Sequence, residues 1–126
     1  MDPNKPFGSL GSPEHGQAGR KIGEEGIVLL QNNNNVLPID LNKAKKIAVI
    51  GENAIKMMTV GGGSSSLKVK YEVSPLDGLK NRVGSQAEVV YARGYVGDPT
   101  GEYNGVKTGQ NLKDDRSEDE LLAEAL

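Results

Sequence analysis

The stretch KKIAVIG, residues 45 to 51, decides the fold class. An apolar run of this length that ends in glycine is typical of a buried parallel strand. A second run, AEVVYA at residues 87 to 92, predicts another strand. Between them, SPLD at residues 74 to 77 places an N-cap serine before a proline, which predicts a helix to about Val83. Strand, loop, helix and strand together predict one βαβ unit.

Two further helices are predicted at the flanks of this unit. Ser12 precedes Pro13 as an N-cap, and small or apolar residues recur at helical spacing, which predicts a helix from Pro13 to about Gln31. The run IVLL, residues 27 to 30, could instead form a short buried strand. The run NNNN, residues 32 to 35, suits the left-handed conformation that ends helices. SEDE, residues 117 to 120, is a capping box before a third helix with an apolar stripe.

The remaining segments predict irregular structure and an incomplete sheet. Residues 1 to 11 contain prolines and glycines and predict an irregular arm, and residues 95 to 115 predict an irregular insertion. Two core strands are fewer than a stable doubly wound sheet normally has. The apolar stripe of the last helix continues up to Leu126. The sequence thus predicts an α/β protein with a partial doubly wound, mostly parallel sheet flanked by helices. It also predicts a piece of a larger protein.

Composition excludes several classes of function. The 126 residues carry a formal net charge of -2, which excludes a generally basic nucleic-acid-binding protein. The absence of cysteine excludes disulfides and thiolate metal sites. With one histidine, a Ser-His-Asp triad would have to use His15, and a site with several histidines cannot form. No apolar run approaches the ~20 residues that span a bilayer, and the N-terminal residues lack the plan of a signal peptide.

The run GGGSSS, residues 61 to 66, is the main candidate for a binding site, and we call it the glycine–serine segment. Glycines let the backbone approach a ligand closely, and serine hydroxyls can bond sugar hydroxyls or phosphate oxygens. Leu67 follows where a Walker A loop needs lysine, and no G-x-G-x-x-G follows the first strand. A flexible surface loop remains an alternative. Carboxylates such as Glu52 could act as acid–base groups, but no spacing singles out a pair.

Five segments stand in fixed order along the chain: EGIVLLQN at residues 25 to 32, LPI at 37 to 39, KIAVIG with NA within 46 to 54, GGGS at 61 to 64 and SPLDGL at 74 to 79. Together they resemble glycoside hydrolase family 3. The first is similar to the family's E-x-I-V-L-L-K-N, and the second to its following L-L-P-L. KIAVIG with NA, within residues 46 to 54, resembles K-I-A-V-I-G-P-N-A. GGGS at 61 to 64 and SPLDGL at 74 to 79 resemble G-G-G-S and S-P-L-E-G-L. Glu52 replaces the usual proline, and the four asparagines replace a shorter turn.

The resemblance implies a domain position and a set of binding residues. Members are exo-acting, retaining β-glucosidases and relatives that pair a TIM-like barrel with an α/β-sandwich domain. Residues 12 to 126 would be the first part of that second domain, and residues 1 to 11 the tail of the interdomain linker. The nucleophilic aspartate would come from the barrel and the acid–base carboxylate from a later loop, so we assign no catalytic residue, metal or cofactor here. The expected sugar-binding residues are Gly61, Gly62, Gly63 and Ser64, with Ser64 supplying a hydroxyl.

The expected activity belongs to a parent protein. This chain alone should hydrolyse nothing, while the parent cleaves a terminal β-linked glucose or similar sugar. Its partners would be a β-linked glucoside or oligosaccharide and the barrel of the same parent, with no nucleic acid or membrane. Secretion to a bacterial periplasm is common among relatives, and any signal would precede Met1. Two alternatives stay open: a non-catalytic domain that buttresses the barrel, and a stand-alone α/β module that binds a nucleotide or another small ligand.

Overall fold

The computed structural model describes residues 4, 6, 8–59, 64, 67, 69–103 and 106–126. It divides into two compact units, one up to Pro38 and the other from Ile39 onward. Within the described ranges, no helix combines the length and the apolar character that crossing a membrane would require.

The first unit contains one helix, α1, which spans Pro13–Gly26. It begins as predicted, because the Ser12 side chain accepts a hydrogen bond from the His15 N–H. The prediction that it continues to Gln31 is wrong, since Ile27 already adopts extended dihedral angles (φ -75°, ψ 125°). Four glycines within α1 weaken the helix, and the β-branched Ile27 and Val28 that follow Gly26 favour an extended backbone. Residues 27 to 30 do not form the alternative buried strand either, and Leu30 is 93% exposed.

The asparagine run that follows forms a tight turn. Asn34 and Asn35 have φ values of 60° and 52°, which confirms the predicted left-handed conformation. The Asn32 side chain closes the turn, because its Nδ2 donates to the Leu37 carbonyl at 2.6 Å and its Oδ1 accepts from the Leu37 N–H at 3.0 Å. The Leu37–Pro38 peptide is cis.

The second unit contains the predicted βαβ arrangement. Strand β1 spans Lys46–Ile50, helix α2 spans Pro75–Val83 and strand β2 spans Glu88–Ala92. The two strands pair in parallel, from Lys46 opposite Glu88 to Ile50 opposite Ala92. The α2 N-cap is Ser74, whose side chain accepts from the Asp77 N–H. The predicted α/β class is therefore confirmed.

Strand β1 is less buried than the sequence predicts. Its residues alternate between exposed and half-buried, and Ile50 is 56% exposed. The prediction of a buried strand is wrong for this chain because β1 and β2 form a sheet of two strands in the described part of the chain. A sheet of two strands has little area with which to cover its apolar side chains.

The segment after β2 is more regular than predicted. Strand β3, Glu102–Tyr103, pairs antiparallel with strand β4, Val106–Lys107, so the irregular insertion contains a short hairpin. Helix α3, Glu118–Ala125, begins at the predicted capping box, in which Ser117 and Glu120 bond each other's backbone N–H. Apolar side chains that are buried in this unit are Ala54, Leu76, Val83, Leu112 and Leu121.

Candidate functional site

The candidate site lies at the carboxyl ends of β1 and β2, where ligands of parallel sheets usually bind. Gly51 follows β1 with a φ of 112°, which a residue with a side chain rarely adopts. Its N–H donates to the Ala92 carbonyl at 3.1 Å, which extends the ladder by one bond. The chain then enters a short 3-10 turn, Glu52–Ala54. This turn places Glu52 next to the loop that follows β2.

Glu52 and Arg93 form a buried ion pair between the two loops. Arg93 Nη2 lies 2.9 Å from Glu52 Oε2, and the two residues are 5% and 2% exposed. The same carboxylate accepts hydrogen bonds from the Gly97 N–H at 2.9 Å and the Asp98 N–H at 3.4 Å. The Lys56 ammonium is 3.7 Å away. Glu52 thus holds the start of the loop after β2 against the turn after β1.

These contacts determine the protonation of Glu52. Burial raises the pKa of the carboxyl, but the hydrogen bonds from Arg93 and from two backbone N–H groups outweigh it and hold the pKa below its ordinary value. A general acid in glycoside hydrolysis needs a raised pKa. Glu52 is therefore an ionised structural anchor and is unsuited to donate a proton.

Arg93 also connects this anchor to the insertion and to α3. Its Nη2 donates to the Leu112 carbonyl, and its Nη1 lies 3.5 Å from Asp114 Oδ2. Arg116 pairs with the same Asp114 at 2.7 Å and with Glu124 of α3 at 2.8 Å. The hydrogen bonds from Arg116 hold the pKa of Asp114 far below its ordinary value, so this chain of charges persists at neutral pH.

The insertion further contacts the residues that follow the 3-10 turn. Gln110 Oε1 accepts from the Met57 N–H at 2.6 Å, and its Nε2 donates to the Ile55 carbonyl at 2.9 Å. The backbone of Gln110 packs closely on Gly101, where a Cβ atom would overlap the Gln110 carbonyl. One side chain from the insertion thereby fixes two backbone groups after β1.

Glu72 fixes the next two residues. Its Oε1 accepts from the Met58 N–H at 2.6 Å, and its Oε2 accepts from the Thr59 hydroxyl at 2.8 Å. Glu72 lies after the glycine–serine segment, and Met58 and Thr59 lie before it. The carboxylate therefore joins the two stretches of chain between which that segment runs.

The structure describes one of the four expected sugar-binding residues. Ser64 is exposed, whereas Gly61, Gly62 and Gly63 lie outside the described residues. His15 is exposed on α1, in the first unit. In the parts of the chain that are described, no group of three acidic or histidine side chains could hold a metal ion.

Sequence reasoning missed Arg93, Glu72 and Gln110. A signal for Arg93 existed, because it directly follows the second strand just as Gly51 and Glu52 follow the first, and parallel strands bring such residues to one edge. Glu72 and Gln110 carry no comparable signal, since their partners lie 14 and 53 residues away.

Comparison with known proteins identifies the family. Residues 27–125 match the model of the glycosyl hydrolase family 3 C-terminal domain. The chain is 46% identical over 101 residues to the β-glucosidase BoGH3A of Bacteroides ovatus, which covers 76% of this chain. It is 41% identical over 90 residues to a β-xylosidase of Formosa agariphila, which covers 67% of it.

A solved structure gives the same result. The β-glucosidase EmGH1 from Erythrobacter marinus superposes with a TM-score of 0.64 and 34% identity over 90% of this chain. The match spans 16% of that protein, 13% of the Bacteroides enzyme and 12% of the Formosa enzyme. The family match covers most of the described second unit, including both strands and the Glu52–Arg93 pair. This chain belongs to glycosyl hydrolase family 3, within its C-terminal domain.

Proposed function

We propose that this chain is part of a retaining, exo-acting β-glucosidase-type hydrolase, and that its glycine–serine segment lines the sugar pocket. The observation that carries the proposal is the 46% identity to a β-glucosidase within a match to the family's C-terminal domain. The segment follows the carboxyl end of β1, the edge of a parallel sheet at which ligands usually bind.

The residue types of the segment suit a sugar. Gly61, Gly62 and Gly63 have no side chains, so a sugar ring can approach their backbone closely. Ser64 is exposed, and its hydroxyl can donate one hydrogen bond and accept others, as a sugar hydroxyl also can. We therefore assign Ser64 the role of bonding a hydroxyl of the bound sugar.

The catalytic carboxylates are proposed to lie elsewhere in the parent. A retaining mechanism needs two carboxyl groups about 5–5.5 Å apart across the sugar. Glu52, the most buried carboxylate of the described chain, is ionised and bonded to Arg93. We propose that a barrel domain of the same parent supplies the nucleophile, that the substrate is a β-linked glucoside, and that this chain alone is inactive.

Hydrolysis of an aryl β-glucoside tests this division of roles. The purified 126-residue chain should release no aryl alcohol, whereas the complete hydrolase that contains it should turn over. Hydrolysis by the isolated chain would contradict the proposed location of the nucleophile. An inactive complete protein, tested on aryl β-glucosides and β-xylosides, would contradict the proposed activity.

The Ser64→Ala variant of the complete hydrolase tests the pocket. Loss of one hydrogen bond to the sugar should lower kcat/KM by about tenfold. Ser85→Ala, in the exposed turn after α2, is the matched control and should leave kcat/KM unchanged. Wild-type kinetics for Ser64→Ala would favour the alternative in which this domain only buttresses the barrel. The buried Glu52–Arg93 pair, which has a structural role, is the observation that favours this alternative.

A further inference from the structure

Two consecutive backbone amides after β1 are bonded by side chains from distant parts of the chain. Gln110 accepts from the Met57 N–H, and Glu72 accepts from the Met58 N–H, each at 2.6 Å. The two acceptors lie 53 and 14 residues from their donors, so neither bond belongs to a local turn. Residues 55 to 59 precede the glycine–serine segment, with Val60 between them, and both side chains bond this run.

The chemistry of Gln110 matches its partners. The Ile55 carbonyl needs a donor, and the Met57 N–H needs an acceptor. A primary amide supplies both from one side chain, as the backbone of a neighbouring strand would. A carboxylate of the same size could bond Met57, but it would place an oxygen against the Ile55 carbonyl at the position where Nε2 now lies, 2.9 Å away.

Glu72, unlike Gln110, has two partners that both donate hydrogen bonds. The Met58 N–H and the Thr59 hydroxyl both donate to its carboxylate, at 2.6 and 2.8 Å. An ionised carboxylate only accepts, and hydrogen bonds to it are about twice as strong as neutral ones. A glutamine at this position would keep one acceptor and present an amide group to the other partner. Each site therefore uses the side chain that its partners require.

Gln110 is itself held in place by the hairpin insertion. Its N–H donates to the Thr108 hydroxyl at 3.3 Å, and that hydroxyl in turn donates to the Gly101 carbonyl. Gly101, with a φ of 67°, packs so closely on the Gln110 backbone that a side chain would not fit there. The side chain of Gln110 thus extends from a fixed backbone.

We infer that Glu72 and Gln110 are positioning residues of the sugar site, which fix residues 55 to 59 and thereby set the position of Ser64. This inference rests on the proposed role of the glycine–serine segment in the sugar pocket. Neither residue touches the sugar. Both act through the backbone that leads to the segment, so the insertion after β2 controls sugar binding from a distance.

The test uses Glu72→Gln and Gln110→Glu in the complete hydrolase. Each substitution keeps the size of the side chain and removes one of its two matched bonds. Misplacement of Ser64 should lower kcat/KM for an aryl β-glucoside by up to about tenfold, the loss expected when the Ser64 hydroxyl is removed. The melting temperature should stay within about 4 °C of wild type. The matched controls are Glu88→Gln, in the exposed pair with Lys46, and Gln86→Glu, in an exposed turn. Both should behave as wild type.

A double-mutant cycle with Ser64→Ala distinguishes positioning from general destabilisation. If Glu72 and Gln110 act through Ser64, their effects on kcat/KM should be largely lost in the Ser64→Ala background. Fully additive effects, or wild-type kinetics of both single variants, would overturn the inference while leaving the proposed function intact. Failure of both variants to fold would also overturn it, because the contacts would then serve stability. Wild-type kinetics for Ser64→Ala alone would overturn the proposed pocket, and this inference with it.

Discussion

The carboxylate of Glu52 meets the guanidinium of Arg93 at 2.9 Å, across 41 residues of sequence, at the ends of two paired parallel strands. Both side chains are buried. The pair connects the turn after β1 to the loop after β2.

Removal of the charge of Glu52 should destabilise the second unit. In Glu52→Gln, Arg93 keeps its positive charge in a buried place and loses its nearest carboxylate, while Asp114 stays 3.5 Å away. The free energy of unfolding should therefore fall by about 2–4 kcal/mol. Urea unfolding followed by far-UV circular dichroism measures this change. Glu88→Gln, which breaks an exposed ion pair with Lys46, should cost about 0.5 kcal/mol or less. Equal effects of the two substitutions would show that burial adds nothing to the Glu52 pair.

Stability should also depend on pH through the same carboxylate. The pKa of Glu52 in the folded chain lies below the ordinary value of 4.5, so in acid the unfolded chain binds more protons than the folded one. The contribution of Glu52 is therefore fully present above about pH 5 and is lost as the pH falls through the folded pKa. Urea midpoints measured from pH 6 to pH 3 should fall less steeply in Glu52→Gln than in wild type. Parallel curves would contradict the assignment, since Asp98 and Asp114 titrate in both proteins.

Gly101 offers a matched pair of substitutions. Gly101→Ala and Gly109→Ala both place a side chain at positive φ, 67° and 81°, but only at position 101 would the new Cβ overlap the Gln110 backbone. The strain of positive φ should cost each variant about 1–2 kcal/mol. Gly101→Ala should cost more and should shift the Met57 amide signal in NMR spectra. An unchanged Met57 signal in Gly101→Ala would show that Gln110 does not depend on this close packing.

The N-terminus of α3 should depend on its capping box. Ser117→Ala removes the acceptor of the Glu120 N–H, which should lower the free energy of unfolding by about 1 kcal/mol. Fraying of the first turn of α3 would also disturb the packing of Leu121, which follows Glu120 and is 1% exposed. Urea unfolding of Ser117→Ala, with Ser85→Ala as the control, provides the measurement. No difference between the two would mean that packing of Leu121 alone holds the helix.

The sequence predicts those elements whose signals are local. Ser12, Ser74 and Ser117 cap helices as expected, because an N-cap and its partner lie within three residues of each other. The parallel strands follow from apolar runs, with their start and end displaced by a residue at most. The overextended first helix has the same origin, since the apolar residues from Ile27 onward have helical spacing even where the backbone is extended.

The candidate site was much less predictable. The glycine–serine motif predicts Ser64 as a sugar-binding residue, and this stays a prediction, whereas the side chains that bond the residues after β1 were missed. Arg93 bonds Glu52 and Gln110 bonds Met57, 41 and 53 residues away in the sequence. The hydrophobic periodicity of helices and strands carries no information about pairs so far apart. The β3–β4 hairpin was missed for a related reason, because strands of two residues are too short to display alternation.

The reciprocal contacts between the loop after β1 and the insertion have a consequence for engineering. Glu52 bonds Gly97 and Asp98 forward in the sequence, and Gln110 bonds Ile55 and Met57 backward. A chimera that grafts only one of these segments from a relative would separate donors from acceptors. The two segments should therefore be exchanged together. A chimera with another member of the family should fold when both segments come from the same parent.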